Sequence, residues 1–193
     1  MAASVLYMSM SLDGFITGPD DGPGLGLGRG GERLHAWLGP GGESVHDYRP
    51  DGPSGQVFDE LMATGAVVTG RRTFDLANHW GGDHHDGVPI FVPTRGEPPE
   101  PEPNVTYVTD GIESCMAQAK AAAGDRNILV HGAATSQSAL AAGVLDELEI
   151  HLIPVLLGEG RPLFGSLGAE HVELELTRII DAPGVTHLRY RVA

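Results

Sequence analysis

Short apolar runs alternate with amphipathic segments from residue 57 to 143, which predicts an α/β protein on a central, mostly parallel sheet. Two further observations shape its far end. Residues Leu148 to Leu152, Val172 to Leu176 and Leu188 to Val192 alternate apolar and polar with period two, the pattern of half-exposed strands. Ala182-Pro183-Gly184 sets Pro and Gly where a type II turn needs them, so the last two strands close as an antiparallel hairpin. Glu173 and Glu175 are then expected to face Arg189 and Arg191 across that hairpin.

The first strand is the apolar run Val5 to Leu12, ending in the turn Asp13-Gly14. Residues 18–31 are rich in Gly, Pro and Asp and read as a mobile loop. Glu32 to Leu38 carries Leu34, Trp37 and Leu38 at helical spacing, and 39–55 is again Gly/Pro-rich. A helix over Val57 to Met62 precedes the buried strand Ala66 to Thr69; Gly70 closes that strand and Arg71 opens a helix reaching Ala77. Strands follow at Val88 to Val92 and Val105 to Val108, separated by a Pro/Glu-rich loop. Asp110 and Glu113 have the spacing of a capping box, and Gly124 stands where a C-terminal cap belongs. The strand Ile128 to His131 leads through Gly132 into an Ala-rich helix ending near Gly143.

With 193 residues the chain suits one domain, 1–193, large enough for a core without staples. Lys+Arg 12 against Asp+Glu 26 gives a net charge of −14, so nucleic acid and anionic membrane surfaces are poor partners. One cysteine, no apolar run of membrane-spanning length and no basic, apolar leader point to a cytoplasmic protein.

Three strand ends carry candidate chemistry. Gly70, Arg71, Arg72 and Thr73 offer helix-start N–H groups, guanidinium forks and a hydroxyl to a phosphate. Gly132, Ala133, Ala134, Thr135 and Ser136 repeat that geometry with small residues that admit a ligand to the backbone. Thr94 and Arg95 end a third strand. In so acidic a chain, basic residues gathered at the carboxyl ends of strands mark a site for a polyanionic cofactor. Asp13 is placed to orient a substrate or relay a proton. Trp37, Tyr48, Phe58 and Trp80 offer an aromatic pocket for a flat ring, with core packing as the alternative. His79, Asp83, His84, His85 and Asp86 lack metal-ligand spacing and read as a solvated loop, so no metal is expected. Cys115 reads as a small core residue. Neither a G-K-[ST] loop nor a G-x-S-x-G elbow occurs, which argues against an ATPase and a serine hydrolase.

Met10 to Ile16 and Val68 to Phe74 resemble the dihydrofolate reductase superfamily. Val130 to Ala134, Gly143 to Leu148, Pro154 to Phe164 and Val185 to Val192 are similar, more narrowly, to the reductase domain of bacterial riboflavin biosynthesis and its stand-alone relatives. The resemblance implies a three-layer fold with about eight strands and an NADPH cofactor that donates hydride to a C=N or C=O of a small heterocycle. It implies that Gly70 to Thr73 meet the adenine side and phosphates, Thr94-Arg95 the 2′-phosphate, and Gly132 to Ser136 the pyrophosphate. The loop after Asp13 would be a flap over nicotinamide and substrate, and Trp37 and Trp80 would line the substrate pocket. True dihydrofolate reductases place an acid just before a helical Trp; here Leu34 stands three residues before Trp37, leaving Glu32 as the approximate substitute. Many relatives carry Gly-Gly where this chain has Gly132-Ala133, a pair joined in those reductases by a cis bond. Relatives also commonly form homodimers, for which the apolar run Leu152 to Leu157 offers a surface. Alternatives are the ribosylamino-pyrimidine reductase of the riboflavin pathway and an NADP(H)-binding protein without turnover.

Overall fold

The computed structural model describes residues 2–41, 45–165, 167 and 171–193; part of the expected 39–55 loop, residues 42–44, lies outside them. Parallel strands β1 (Ser4–Ser11), β3 (Ala66–Thr69), β4 (Ile90–Pro93), β5 (Val105–Val108), β6 (Ile128–His131) and β7 (Glu147–Ile153) form most of one sheet. The antiparallel hairpin β9 (Leu174–Ala182) and β10 (Val185–Val192) completes it, in the order β5-β4-β3-β6-β1-β7-β10-β9. A small ladder joins β2 (Phe15–Thr17) to β8 (Arg161–Pro162). The expected α/β architecture with eight sheet strands is the one observed.

Side-chain alternation along the parallel strands divides the core. Leu6, Val68, Val130, Leu148 and Ile150 point to one face, against α3 (Ile112–Ala123) and α4 (Ala133–Ala141), where Cys115 is fully buried. Burial pushes the Cys115 thiol up to about 12, so it packs as a small apolar group. Val5, Tyr7, Val67, Ile90 and Leu129 point to the other face. That face is covered by α1 (Pro53–Met62), α2 (Arg71–Leu76) and the 3₁₀ segment Gly31–Leu38. Sheet and two helical layers make the three-layer arrangement.

Three local expectations need correction, at Asp110, in the hairpin and on β7. Asp110 does not cap α3: the cap position is Gly111, and the Asp110 carboxylate accepts instead from Ser114 Oγ at 2.8 Å. Residues 18–31 form a closed loop, with Gly18 N–H donating to Leu27 and Arg29 N–H to Pro19. Its glycines permit close approach, since a Cβ on Gly18 would stand 2.0 Å from the Arg29 carbonyl oxygen. Across the hairpin Arg191 does oppose Glu175, at 2.8 Å, but a bulge sets Arg189 opposite Arg178. Finally, the polar row of β7 is not solvent-facing. Glu149 is fully buried and His151 nearly so, because α1 and the Gly31–Leu38 segment cover that face. No helix among the described residues is long and apolar enough to cross a membrane.

Candidate active site

The carboxyl ends of the parallel strands lie along one edge of the sheet. Neighbouring strands β4, β3 and β6 deliver Thr94-Arg95, Gly70-Arg71 and Gly132 there side by side. The turns after β3 and β6 interlock. A Cβ on Gly132 would stand 2.6 Å from Thr73 Oγ1, and one on Gly70 would stand 2.7 Å from Thr135 Oγ1. Each helix start therefore sets its threonine against the other turn's glycine. Gly132 also has φ +88, so Gly132→Ala combines backbone strain with steric conflict. It is expected to cost about 2–4 kcal/mol in chemical denaturation, with disruption of both turns.

Small residues keep this edge thin, but not every hydroxyl faces outward. Ser136 is fully buried and donates to the Gly132 carbonyl at 2.7 Å. Thr135 and Ala133 are buried too, while Ala134 is exposed. An anion at this turn would therefore meet backbone N–H groups, not the Ser136 hydroxyl. The peptide bond at Gly132-Ala133 is trans. Thr94 is likewise turned inward, its hydroxyl donating to the Val92 carbonyl at 3.0 Å, while Arg95 is exposed. Arg71 pairs with Asp75 at 2.7 Å and lies over the Tyr107 ring.

Beside these turns opens a cavity of about 410 Å³, walled by β1, α1, α2 and the Gly31–Leu38 segment. Arg72, Thr73, Trp37 and Trp80, all expected at the site, line it together with Tyr48 and Phe58. Trp37 Nε1 donates to Ser9 Oγ at 2.9 Å, and its ring packs 4.6 Å from that of His151. A cavity of this size with aromatic rings in its lining accepts a flat heterocycle. Arg72 and Arg161 both bind Asp21, whose carboxylate takes Nε donors from each at 3.1 Å. Burial acts to raise the Asp21 pKa, but the hydrogen bonds from the two guanidiniums outweigh it and hold it below the usual carboxylate value.

The two carboxylates expected to relay a proton stand elsewhere. Asp13 is exposed and does not line the cavity. It accepts from Ser11 Oγ at 2.5 Å and from the backbone N–H of Gly158 at 2.8 Å, which ties the loop after β7 to the end of β1. The Ser11 bond above all holds its pKa down. Glu32 sits exposed in the first turn of the Gly31–Leu38 segment and does not line the cavity either.

Histidines stand where carboxylates were expected. His84, His131 and His151 line the cavity. His84 and His85 are buried, so their segment is no solvated loop: Trp80 packs edge-on at 4.6 Å against His84, which bonds His85. No group of side chains fit to hold a metal ion occurs among the described residues. His131 ends β6, and its register partner Thr69 ends β3, so a polar residue closing each apolar strand was the available signal. Asp21 and Arg161 were also missed. They meet only because β8 returns beside β2, a contact that spans 140 residues.

The RibD C-terminal domain model matches residues 4–188. The chain is 25% identical over 175 residues to the uncharacterized protein YwjB of Bacillus subtilis (strain 168), covering 86% of this chain and 85% of that one. Among solved structures it resembles a putative riboflavin biosynthesis protein from Shewanella sp. PV-4, with TM-score 0.74, 24% identity and coverage of 100% and 99% of the two chains. A pyrimidine reductase-like protein from Corynebacterium diphtheriae matches with TM-score 0.63 and 13% identity over 100% of this chain and 92% of that one. The diaminohydroxyphosphoribosylaminopyrimidine deaminase/5-amino-6-(5-phosphoribosylamino)uracil reductase of Thermotoga maritima matches with TM-score 0.65 and 13% identity, and this chain spans 57% of its length. At these identities the solved structures speak for the fold, and the match over nearly the whole length speaks for the family: this chain belongs to the RibD C-terminal domain family.

Proposed function

We propose that this protein is an NADPH-dependent reductase that transfers hydride to a C=N or C=O of a small flat heterocycle, pyrimidine- or pteridine-like. One observation carries the reading. An aromatic-walled cavity opens beside glycine turns and arginines at the carboxyl edge of a parallel sheet, where such sheets bind nucleotides. Family membership and the names of the structural neighbours support an oxidoreductase of this kind.

The residues present fit a dinucleotide. Gly70 and Gly132 let the two turns approach closely, since a Cβ on either would meet the threonine of the other turn, and this sets two helix starts side by side at the edge. Arg71, Arg72, Thr73 and the N–H groups after Gly132 would hold the phosphates, and Arg95 the 2′-phosphate. Such a cofactor supplies the hydride; the protein orients the ring, excludes water and moves a proton. Trp37 and Trp80 would sandwich the substrate ring, with Arg161 and Asp21 offering a donor and an acceptor to its polar edge.

Loss of Arg95 in Arg95→Ala is expected to weaken NADPH about tenfold, the value of one charge-assisted contact, and NADH less than twofold. Calorimetry with both cofactors checks this, and equal losses would remove the 2′-phosphate assignment. Cofactor oxidation across pterins, flavin precursors and small carbonyls tests turnover itself. Cofactor binding without turnover of any of them would favour a binding protein on this fold. Rescue of a strain lacking the ribosylamino-pyrimidine reduction would narrow the substrate to that of the riboflavin pathway.

A cytoplasmic homodimer completes the proposal. Leu174, Leu176 and Ile179 of β9 are 41%, 47% and 58% exposed, and their register partners Val192, Tyr190 and Leu188 place them on the sheet face that carries Leu148 and Ile150, at its uncovered edge. A second copy covering this face would bury them. Light scattering that gives the mass of one chain would remove the dimer.

A further inference from the structure

Three imidazoles form one hydrogen-bonded chain that ends at the cavity. His131 Nδ1 lies 3.0 Å from the Tyr7 carbonyl oxygen, and His131 Nε2 lies 3.2 Å from His84 Nε2. His84 Nδ1 lies 2.8 Å from His85 Nδ1, and His85 Nε2 lies 3.1 Å from Thr64 Oγ1. Thr64 Oγ1 is also 2.8 Å from the Leu61 carbonyl oxygen.

The protons can be counted. A carbonyl only accepts, so His131 Nδ1 carries a hydrogen. The four links from Tyr7 to Thr64 need four hydrogens, and three neutral imidazoles supply three. The fourth has two sources. In a neutral chain the Thr64 hydroxyl turns from Leu61 and donates to His85 Nε2, giving up that nitrogen's longer contact, 3.4 Å, to the Thr64 carbonyl oxygen, which places the imidazole hydrogens on His131 Nδ1, His84 Nε2 and His85 Nδ1. In a charged chain the hydroxyl donates to Leu61, His85 Nε2 carries a hydrogen, and one ring is an imidazolium. Shifts of hydrogen across the two His–His links then carry that charge from His85 to His131 without turning any ring.

We propose that this chain is the acid of the reaction, with His84 and His131 delivering its extra proton to the substrate at their junction and His85 and Thr64 acting as positioning residues. The proposal rests on the reductase reading. The substrate carbon receives hydride with both electrons of a C–H bond that breaks on the dihydronicotinamide. The π pair of the C=N or C=O moves to nitrogen or oxygen, which forms its new N–H or O–H bond with the proton from the junction. The chain is left neutral, with hydrogens on His131 Nδ1, His84 Nδ1 and His85 Nε2 and with both junction nitrogens accepting, and solvent restores the proton at the junction after product leaves.

The surroundings favour this source. Among described residues lining the cavity, Asp21 is the one carboxylate, and two arginines hold it. Trp80 packs against both junction rings, at 4.6 and 6.1 Å. Asp83 and Asp86 raise the proton affinity of His85, His46 opposes it at His84 and His85, and His35 opposes it at His131. Arg126 Nη1 reaches the Thr64 carbonyl at 3.4 Å. Burial lowers all three imidazole pKa values, so the charged chain is a strong, sparsely populated acid.

Histidine-¹⁵N NMR of the unliganded protein tests the chain apart from any activity. Near pH 8 the expected tautomers are Nδ1–H at His131, Nε2–H at His84 and Nδ1–H at His85. On acidification while the fold persists, one proton is expected to appear at all three rings with a common midpoint. Other tautomers, or three independent titrations, would overturn the proposal whatever the substrate. Thr64→Val is expected to alter these tautomers and Thr64→Ser to restore them; unchanged shifts in Thr64→Val also count against it. With any substrate reduced in the turnover assay, His84→Gln is expected to lower kcat about a hundredfold, move KM less than threefold and remove the decline of rate with rising pH. An unchanged kcat and pH profile would overturn delivery, while failure of every substrate would sink the reductase reading and leave the NMR result standing.

Discussion

Arg178→Met is expected to destabilise the protein by about 3 kcal/mol, near the lower end for breaking a buried ion pair because the arginine is a quarter exposed. Arg178 on β9 binds Glu60 of α1 at 2.6 and 2.8 Å and Glu149 of β7 at 3.0 Å. Glu149 is fully buried, and Arg189 adds the second cation, with Nη1 3.0 Å from Glu60 and 3.7 Å from Glu149. This cluster fastens α1 to the antiparallel end of the sheet. Methionine keeps most of the arginine's apolar bulk, so the loss reports the charge that Glu149 and Glu60 are left to bear. Burial already raises the Glu149 pKa, with the two guanidiniums opposing it. Without Arg178 the carboxyl takes a proton more readily, so the penalty should shrink from pH 8 to pH 5.5. Urea unfolding of both proteins across that range checks the expectation. A penalty that is constant with pH would show that packing, not charge, was lost.

Acid is expected to unfold the protein well above the pH at which its surface carboxylates titrate. His187 is fully buried, bonded to Ser54 Oγ at 3.0 Å and to His151 Nδ1 at 2.9 Å, and burial lowers its pKa to about 4. His151 is lowered well below its ordinary value by burial and by His187. The sign follows from linkage. Between about 6.5, where an unfolded histidine gains its proton, and about 4, the unfolded chain binds protons that the folded one refuses. Stability is therefore full above 6.5 and falls as pH drops through this window. His187 alone accounts for on the order of 3 kcal/mol over the full interval. Burial lowers His151 and the cavity histidines His84 and His131 in the same direction, so each adds to the loss. Thermal unfolding at pH 7.5, 6 and 5 should show a steep fall in midpoint, and His187→Gln should flatten it. A midpoint constant from 7.5 to 5 would contradict the buried-neutral assignment.

What could be read from the chain depended on how local the cause was. The parallel strands announced themselves because strands buried on both faces become short apolar runs, as in Ala66 to Thr69 and Ile128 to Val130. Gly132 and Gly70 were legible because strand-to-helix turns demand small residues, and the candidates Arg72, Thr73, Trp37 and Trp80 all line the cavity. Asp13 was misplaced for an equally local reason. A carboxylate after a strand has the same spacing whether it faces a substrate or, as here, the N–H groups of a loop 145 residues away.

By itself, then, the sequence determined the sheet, the carboxyl edge of its strands and the turns that build that edge, because apolar period, glycine and turn chemistry act within a few residues. Only the tertiary structure decided which polar residues are buried. Period two places Glu149 and His151 on one face of β7, but whether that face meets water or the covering layer depends on α1 and the Gly31–Leu38 segment, more than 80 residues earlier. The imidazole chain has the same origin. His84 and His131 lie 47 residues apart, and neither has meaning until β6 ends beside the segment that carries the other. Burial converts an ordinary polar side chain into a group that must be paired and counted, and burial belongs to the folded whole.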